Sequence, residues 1–229
     1  MNKHWYRKWW GIILIAVLTI FLIILTASGF YIYHTVKYIN ANRLNSSKKT
    51  SIDYNKLDKQ TRAKFEGENN YWIGAANPKI TIVEFGDFAC HHTKNSFPKI
   101  REIGTKYKNS VKIIFRDMPL QENSLDLSMA ARCAGEQGLF WMMYDKLFQN
   151  QGVSGTDNLI EMANEIGADT HRFASCLKDK KYIAQIRKDF SDGEDLGVKG
   201  TPTWFVNGVK VQGDVPLGVW EEIIGKLLQ

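Results

Sequence analysis

A cysteine, two histidines and a threonine stand in a row at Cys90-His91-His92-Thr93. They follow the apolar, β-branched run Ile80-Thr81-Ile82-Val83-Glu84-Phe85, which reads as a buried strand. A helical stretch follows Cys90 and reaches about residue 108, bent or interrupted near Pro98. Cys90 is therefore expected at a helix N-terminus, where unpaired backbone N–H groups and the positive end of the helix dipole favour a thiolate. His91 and His92 are placed to add positive charge or hydrogen bonds, and the hydroxyl and N–H of Thr93 lie within reach of the sulfur. A thiolate is a nucleophile toward disulfides. The plainer reading is a small buried apolar residue. Cys90, His91 and His92 are also metal-ligand types, but consecutive ligands on one loop rarely converge on a tetrahedral centre and no fourth ligand is evident. No metal site is expected, and no cofactor. The chain contains no Gly-rich phosphate loop, Gly-x-Ser-x-Gly or His-Glu-x-x-His motif.

The elements that must position this cysteine form a recognisable order. Residues 80–85 and 111–115 read as strands flanking the helix, a βαβ unit with a right-handed crossover. A long helical region is expected from Ser124 to about Asn150, then helices at about 157–166, 170–178 and 180–195. Residues 203–206 and 209–211 read as a hairpin about Asn207-Gly208, and residues 219–228 as a closing helix. The aromatic residues of these elements are read as core, and residues 178–181 as a solvated helix end.

The order β-α-β, helical insert, β-β-α resembles the thioredoxin fold of DsbA-like thiol–disulfide oxidoreductases over residues 71–229, with the insert at about 120–195. Three segments carry the resemblance: residues 82–90 leading into the cysteine, residues 130–141 in the insert, and residues 197–208 around Thr201-Pro202. The resemblance implies that Cys90 is the nucleophile and that His92 stabilises its thiolate. It implies that Glu84, six residues earlier, is a buried acid that moves protons; a solvent-facing carboxylate at a strand end is the alternative. Pro202 would be a cis-proline against the cysteine, and Thr201 would pair its backbone with a substrate peptide, with His91 beside it. Cysteines placed like Cys133 and Cys176 often form a structural disulfide within the insert of such proteins.

One departure bears on mechanism. The family pattern is Cys-x-x-Cys, and this chain has Thr93 where the second cysteine belongs. A monothiol forms a mixed disulfide but needs another thiol for release. The expected activity is therefore isomerase-like or reductase-like exchange on exported cysteine-containing proteins or peptides. The resolving thiol would come from the substrate, a small thiol or a membrane redox partner. Two rival functions remain: a non-catalytic peptide-binding or assembly protein that has lost the resolving cysteine, and a metal chaperone.

The chain has 229 residues, 44% hydrophobic and 24% charged, which fits one globular domain with accessories. Its net charge of +6 is concentrated at the N-terminal end: residues 1–52 hold seven Lys or Arg and no acid, leaving 23 bases and 24 acids beyond. A nucleic-acid groove is therefore not expected. Residues 9–33 carry no charge and have aromatic residues at both ends. A helix of that length, about 37 Å, crosses a bilayer. The expected organisation is a cytoplasmic tail at 1–8, a lipid-embedded transmembrane helix at 9–33, a polar stalk at 34–70 and the domain outside the cell membrane, periplasmic or extracellular. A cleaved signal peptide ending near Thr26-Ala27-Ser28-Gly29 is the competing possibility.

Overall fold

The computed structural model describes residues 58–229 and, in the N-terminal segment, residues 13–14, 16–22, 24–27 and 29–30. The latter are helical, with exposed apolar side chains such as Leu18, Phe21 and Ile24. Among the described residues no helix is long and apolar enough to cross a membrane. The ends of the expected 9–33 span, the 1–8 tail and residues 34–57 of the stalk lie outside the described residues.

Residues 58–229 build a five-stranded sheet of order β1-β3-β2-β4-β5. The strands are β1 (Trp72–Gly74), β2 (Ile80–Gly86), β3 (Val111–Asp117), β4 (Thr203–Val206) and β5 (Val209–Gln212). β2 runs parallel to β3 and antiparallel to β4, and every one of its residues is buried. That explains its near-continuous apolar sequence. The helices are α1 (Lys59–Glu66), α2 (His91–Lys106), α3 (Ser124–Gly135), α4 (Phe140–Gln149), α5 (Thr156–Glu165), α6 (Thr170–Lys178), α7 (Ile183–Asp195) and α8 (Leu217–Leu228). Helices α3 to α7 form the insert between β3 and β4.

Three apolar clusters hold the layers together. Ile80, Ile82 and Trp204 of the sheet pack with Ile100 and Ile103 of α2 and with Trp220 and Ile224 of α8. Val83, Phe85 and Phe205 pack with Met118 and Val198, closed by Phe65 of α1 and Phe190 of α7. The insert has its own core, including Met143, Leu147, Phe148 and Phe173, joined to the sheet by Phe88 and Phe115. A disulfide between Cys133 and Cys176 ties α3 to α6, with Cα atoms 5.8 Å apart.

Four features differ from the sequence reading. The helix expected over 124–150 is two helices, because the chain turns between Gly135 and Leu139 with Gly138 at φ 78°, and the Leu139 N–H closes on the Ala134 carbonyl. α2 runs unbroken through Pro98; this proline is exposed, so water can solvate the carbonyl its missing N–H leaves free. The short edge strand β1 pairs with β3 where no strand was expected. The packed domain also reaches back into the segment read as stalk. Asp58 caps α1 by accepting from the Thr61 N–H at 2.9 Å, and the carbonyls of Lys64 and Phe65 accept from Arg116.

The buried guanidinium of Arg116 is part of a larger network. It donates to Asp189 at 2.9 and 2.7 Å and to Asp192 at 2.5 Å. Arg132 donates to Asp117 and to the other oxygen of Asp189, both at 2.5 Å, and to Asn70 at 2.8 Å. Removing Asp189 would leave two buried cations short of a shared partner. Asp189→Ala is expected to cost about 3–5 kcal/mol, read as a lower urea midpoint at unchanged m-value in the purified chain. A cost within about 0.5 kcal/mol, the range of a neutral surface change, would show that the network is not structural.

Candidate active site

β2 delivers the chain at Gly86 into a tight loop, and Cys90 is the N-cap of α2 with extended backbone (φ −75°, ψ 123°). The loop is shaped by Asp87, which is fully buried. One carboxylate oxygen accepts from the Ala89 N–H (2.9 Å) and the Ser124 hydroxyl (2.5 Å). The other accepts from the N–H groups of Leu120 (2.9 Å) and Gln121 (3.2 Å). A single carboxylate thus fixes the cysteine loop and the start of the insert together. Gln151 adds a second clamp, donating from one amide nitrogen to the carbonyls of Phe88 (2.9 Å) and Cys90 (3.0 Å).

The other wall comes from the loop before β4. The Thr201–Pro202 peptide bond is cis. Cys90 Sγ donates to the Thr201 carbonyl oxygen at 3.2 Å, across 111 residues of sequence. Pro202 is buried, and its carbonyl accepts from the Gly213 N–H at 2.8 Å. Cys90 itself is 7% exposed. The structure thus brings Cys90, Thr201 and Pro202 together.

The remaining residues singled out in the sequence are arranged unevenly. Thr93 is fully buried in the first turn of α2, but its Oγ1 has no hydrogen-bond partner, and the sulfur turns to Thr201 instead. His91 and His92 are exposed; the His91 Nε2 lies 3.2 Å from the Asn95 amide, and the two imidazole rings are 6.0 Å apart. Glu84 is buried completely on β2. Its Oε2 accepts from the Tyr144 hydroxyl of α4 at 3.0 Å, while Oε1 has no partner. Burial pushes this carboxyl up from 4.5 to about 8, with the Tyr144 hydrogen bond opposing only part of the rise. Tyr144 is driven well above its ordinary value by burial and by the facing carboxyl. Cys133 and Cys176 are bonded to each other, so Cys90 is the one free cysteine among the three in the chain.

The thioredoxin family model matches residues 66–226. The chain belongs to the thioredoxin family. Among solved structures, the thiol–disulfide exchange protein α-DsbA2 of Wolbachia pipientis superposes with a TM-score of 0.67 at 23% identity, over 73% of this chain and 92% of that one. α-DsbA1 of the same organism gives 0.61 at 26% identity, over 70% and 91%. A periplasmic thioredoxin-like protein of Salmonella enterica gives 0.65 at 24%, over 76% and 98%. This thioredoxin-family chain thus has the DsbA-like form of the fold, with its helical insert. Among curated proteins, the Na(+)/H(+) antiporter NhaA 1 of Salinispora arenicola is 36% identical over 144 residues, 61% of this chain and 22% of the antiporter. NhaA 3 of Salinispora tropica is 34% identical over 143 residues, with the same coverage. The chain spans about a fifth of the length of these relatives, so the shared segment is a minor part of each.

Sequence reading did not find Asp87, Gln151 or Tyr144 as site-forming residues. A signal for Asp87 existed: an acid directly after a largely apolar, β-branched strand and before Phe88 is placed where little solvent can reach it. Tyr144 gives no comparable signal, because its partner is 60 residues away.

The buried acid yields a pH prediction. Between about 4.5 and about 8, folded Glu84 keeps a proton that the unfolded chain has released. Folding then takes up a proton, and stability falls as pH rises through that window, at up to about 1.4 kcal/mol per pH unit. Glu84→Gln removes this contribution. The expected result is a flatter stability–pH curve for the variant between pH 5 and 8, measured by urea unfolding. Parallel curves would mean that Glu84 is ionised in the folded protein.

Proposed function

We propose that this protein is an extracytoplasmic thiol–disulfide exchange protein that works through one cysteine, with isomerase-like or reductase-like action on exported cysteine-containing proteins. The observation that carries the reading is Cys90 at the N-cap of α2, its sulfur 3.2 Å from the Thr201 carbonyl beside cis Pro202, with no second thiol left in the chain. The DsbA-like fold supports it.

The chemistry follows from the cysteine count. The Cys90 thiolate attacks one sulfur of a disulfide R–S–S–R′, forming Cys90–S–S–R and expelling R′–S⁻. If a thiolate of the same substrate other than R′–S⁻ attacks the R sulfur, Cys90 is expelled and the substrate's disulfides are rearranged without net oxidation; return of R′–S⁻ only restores the starting disulfide. If two molecules of a small thiol supply the second attack and the final pairing, the substrate is reduced by two electrons and the small thiol leaves as its disulfide. Cys90 paired with Thr93 cannot store a disulfide, so net oxidation by this site alone is excluded. Glu84 is assigned the protons that accompany these steps, since it is neutral at low pH, ionisable near neutrality and buried on the strand that leads to the cysteine. His92, in the first turn of α2, tunes the sulfur, Thr93 keeps an internal disulfide from forming, and His91, Thr201 and Pro202 form the wall against which a substrate strand lies.

A membrane anchor at residues 9–33 is part of this reading. It is supported by the uncharged stretch and by the exposed apolar side chains of the described helical residues within it. The bonded Cys133 and Cys176 favour an oxidising compartment. The partners are then exported proteins or peptides, a resolving small thiol or membrane redox protein, and bilayer lipid, with no nucleic acid.

The test is incubation of the purified chain with glutathione disulfide, followed by intact mass. One glutathionyl adduct at Cys90 is expected, absent in Cys90→Ser and removed by added thiol. Thr93→Cys should convert the adduct into an internal disulfide and free glutathione. An unmodified Cys90 under conditions that modify an unfolded control would overturn the exchange reading in favour of a non-catalytic peptide binder.

A further inference from the structure

A cavity of about 630 Å³ lies outside the site described above, in the helical insert. Its floor is apolar and includes buried Met129 of α3 and Leu159 of α5. Leu125, 40% exposed, stands at its mouth. Lys178 at the end of α6, Lys180 just beyond it and Asp126 of α3 also line it. Both lysines are exposed, and no ion pair engages them among the described residues. Lys180 is held at φ 48°, an uncommon conformation for a residue with a side chain.

A smaller cavity of about 260 Å³ is lined by Ala89, directly before Cys90, and by Gln151, which holds the Cys90 carbonyl. Asn123 and Ser154 line both cavities. The two depressions therefore adjoin at Asn123 and Ser154, and together they mark out a path between the loop that precedes Cys90 and the lysine-edged cavity. Val153, 41% exposed, lies along it.

We propose that this path is a second arm of the substrate cleft, which binds the polypeptide flanking a substrate's reactive cysteine and prefers an apolar side chain next to an acidic one. The proposal rests on the exchange reading for its account of why the segment is there. The apolar floor takes the side chain out of water. Lys178 and Lys180 attract the neighbouring carboxylate, and Asp126 in the same lining orients the segment by repelling it. The surface is continuous with the cysteine loop, so the occupant is the chain already tethered at Cys90 rather than an unrelated ligand. An extended segment of about six residues reaches about 20 Å, so the test places the recognition pair at several spacings.

The experiment uses the purified chain and peptides whose single cysteine is capped as a disulfide with glutathione. Each peptide carries a Leu-Glu pair two, four or six residues from the cysteine, or a Leu-Lys pair as its counterpart. The rate of adduct formation at Cys90 is read by mass. The native chain should react about tenfold faster with the best Leu-Glu peptide than with its Leu-Lys counterpart. Lys178→Glu combined with Lys180→Asn should abolish or reverse that preference, and Leu125→Ser should slow both peptides. Reaction with glutathione disulfide itself should be unchanged in every variant. A preference that survives the lysine changes, or no preference at any spacing, overturns the proposal. A second readout separates it from the exchange reading: the same peptides with serine for cysteine are titrated against Cys90→Ser by fluorescence anisotropy. Binding that the lysine changes weaken at least fivefold upholds the cleft even if Cys90 proves unreactive. No binding, together with no rate preference, removes the cleft while leaving exchange intact.

Discussion

The pair of buried arginines around Asp189 is the interaction on which the rest of the architecture depends. Arg116 leaves the sheet from β3, Arg132 leaves the insert from α3, and Asp189 arrives from α7 with one oxygen for each. An insert of five helices placed between two strands of a sheet has many ways to lie against it. Apolar packing alone restricts those ways weakly, because it is non-directional. Two guanidinium forks that must each meet a carboxylate away from water are directional, and a mispacked insert would leave charge buried and unpaired. Asn70 and the carbonyls of Lys64 and Phe65 complete the same set, which is why α1 belongs to the folded domain.

Once the insert is fixed, the cysteine loop has its second boundary. Asp87 spans the distance between the end of β2 and the start of α3, satisfying donors on both sides. Gln151, just beyond α4, ties the loop to the insert from the other side by donating to the Phe88 and Cys90 carbonyls. The sheet order supplies the third boundary: β4 is the neighbour of β2, so the loop entering β4 must pass the loop leaving β2. The Cys90–Thr201 contact is thus a consequence of adjacent antiparallel strands, and residues 111 positions apart meet without any local signal. Placing the sulfur by three rigid supports leaves it little freedom, which favours attack along a defined direction.

How much of this was legible follows from the range of each interaction. β2, β3 and the Asn207-Gly208 hairpin are local patterns of β-branched and turn residues, and they were readable as such. β1 is three residues long and has no periodicity to read. The break between α3 and α4 turns on Gly138 in a stretch whose apolar spacing continues through it, so pattern alone runs the helices together. The resemblance pointed to Glu84, but the sequence did not supply Tyr144, whose hydroxyl meets it from another layer. Thr93 shows the opposite failure. Its spacing put the hydroxyl within reach of the sulfur, yet the sulfur has a better acceptor in a carbonyl contributed from beyond the insert. Residue type and short spacing expose candidates; which of them pair is decided by topology.

Thr93 also bears on why a monothiol can occupy this fold. A second cysteine in the first turn of α2 would compete for Cys90 and draw it away from Thr201 whenever the internal disulfide formed. A buried hydroxyl in that place has similar size, cannot form the bond, and leaves the sulfur committed to the Thr201 wall. Leaving Oγ1 without a partner costs about 1–3 kcal/mol. The same domain holds a second orphan, a carboxyl oxygen of Glu84 nine residues upstream on β2. Two unsatisfied buried oxygens on the strand–loop–helix unit that carries Cys90 are a poor arrangement for stability alone. Under the proposed exchange function they are a reasonable one, since protons must then move and an incoming group must find open hydrogen-bonding positions.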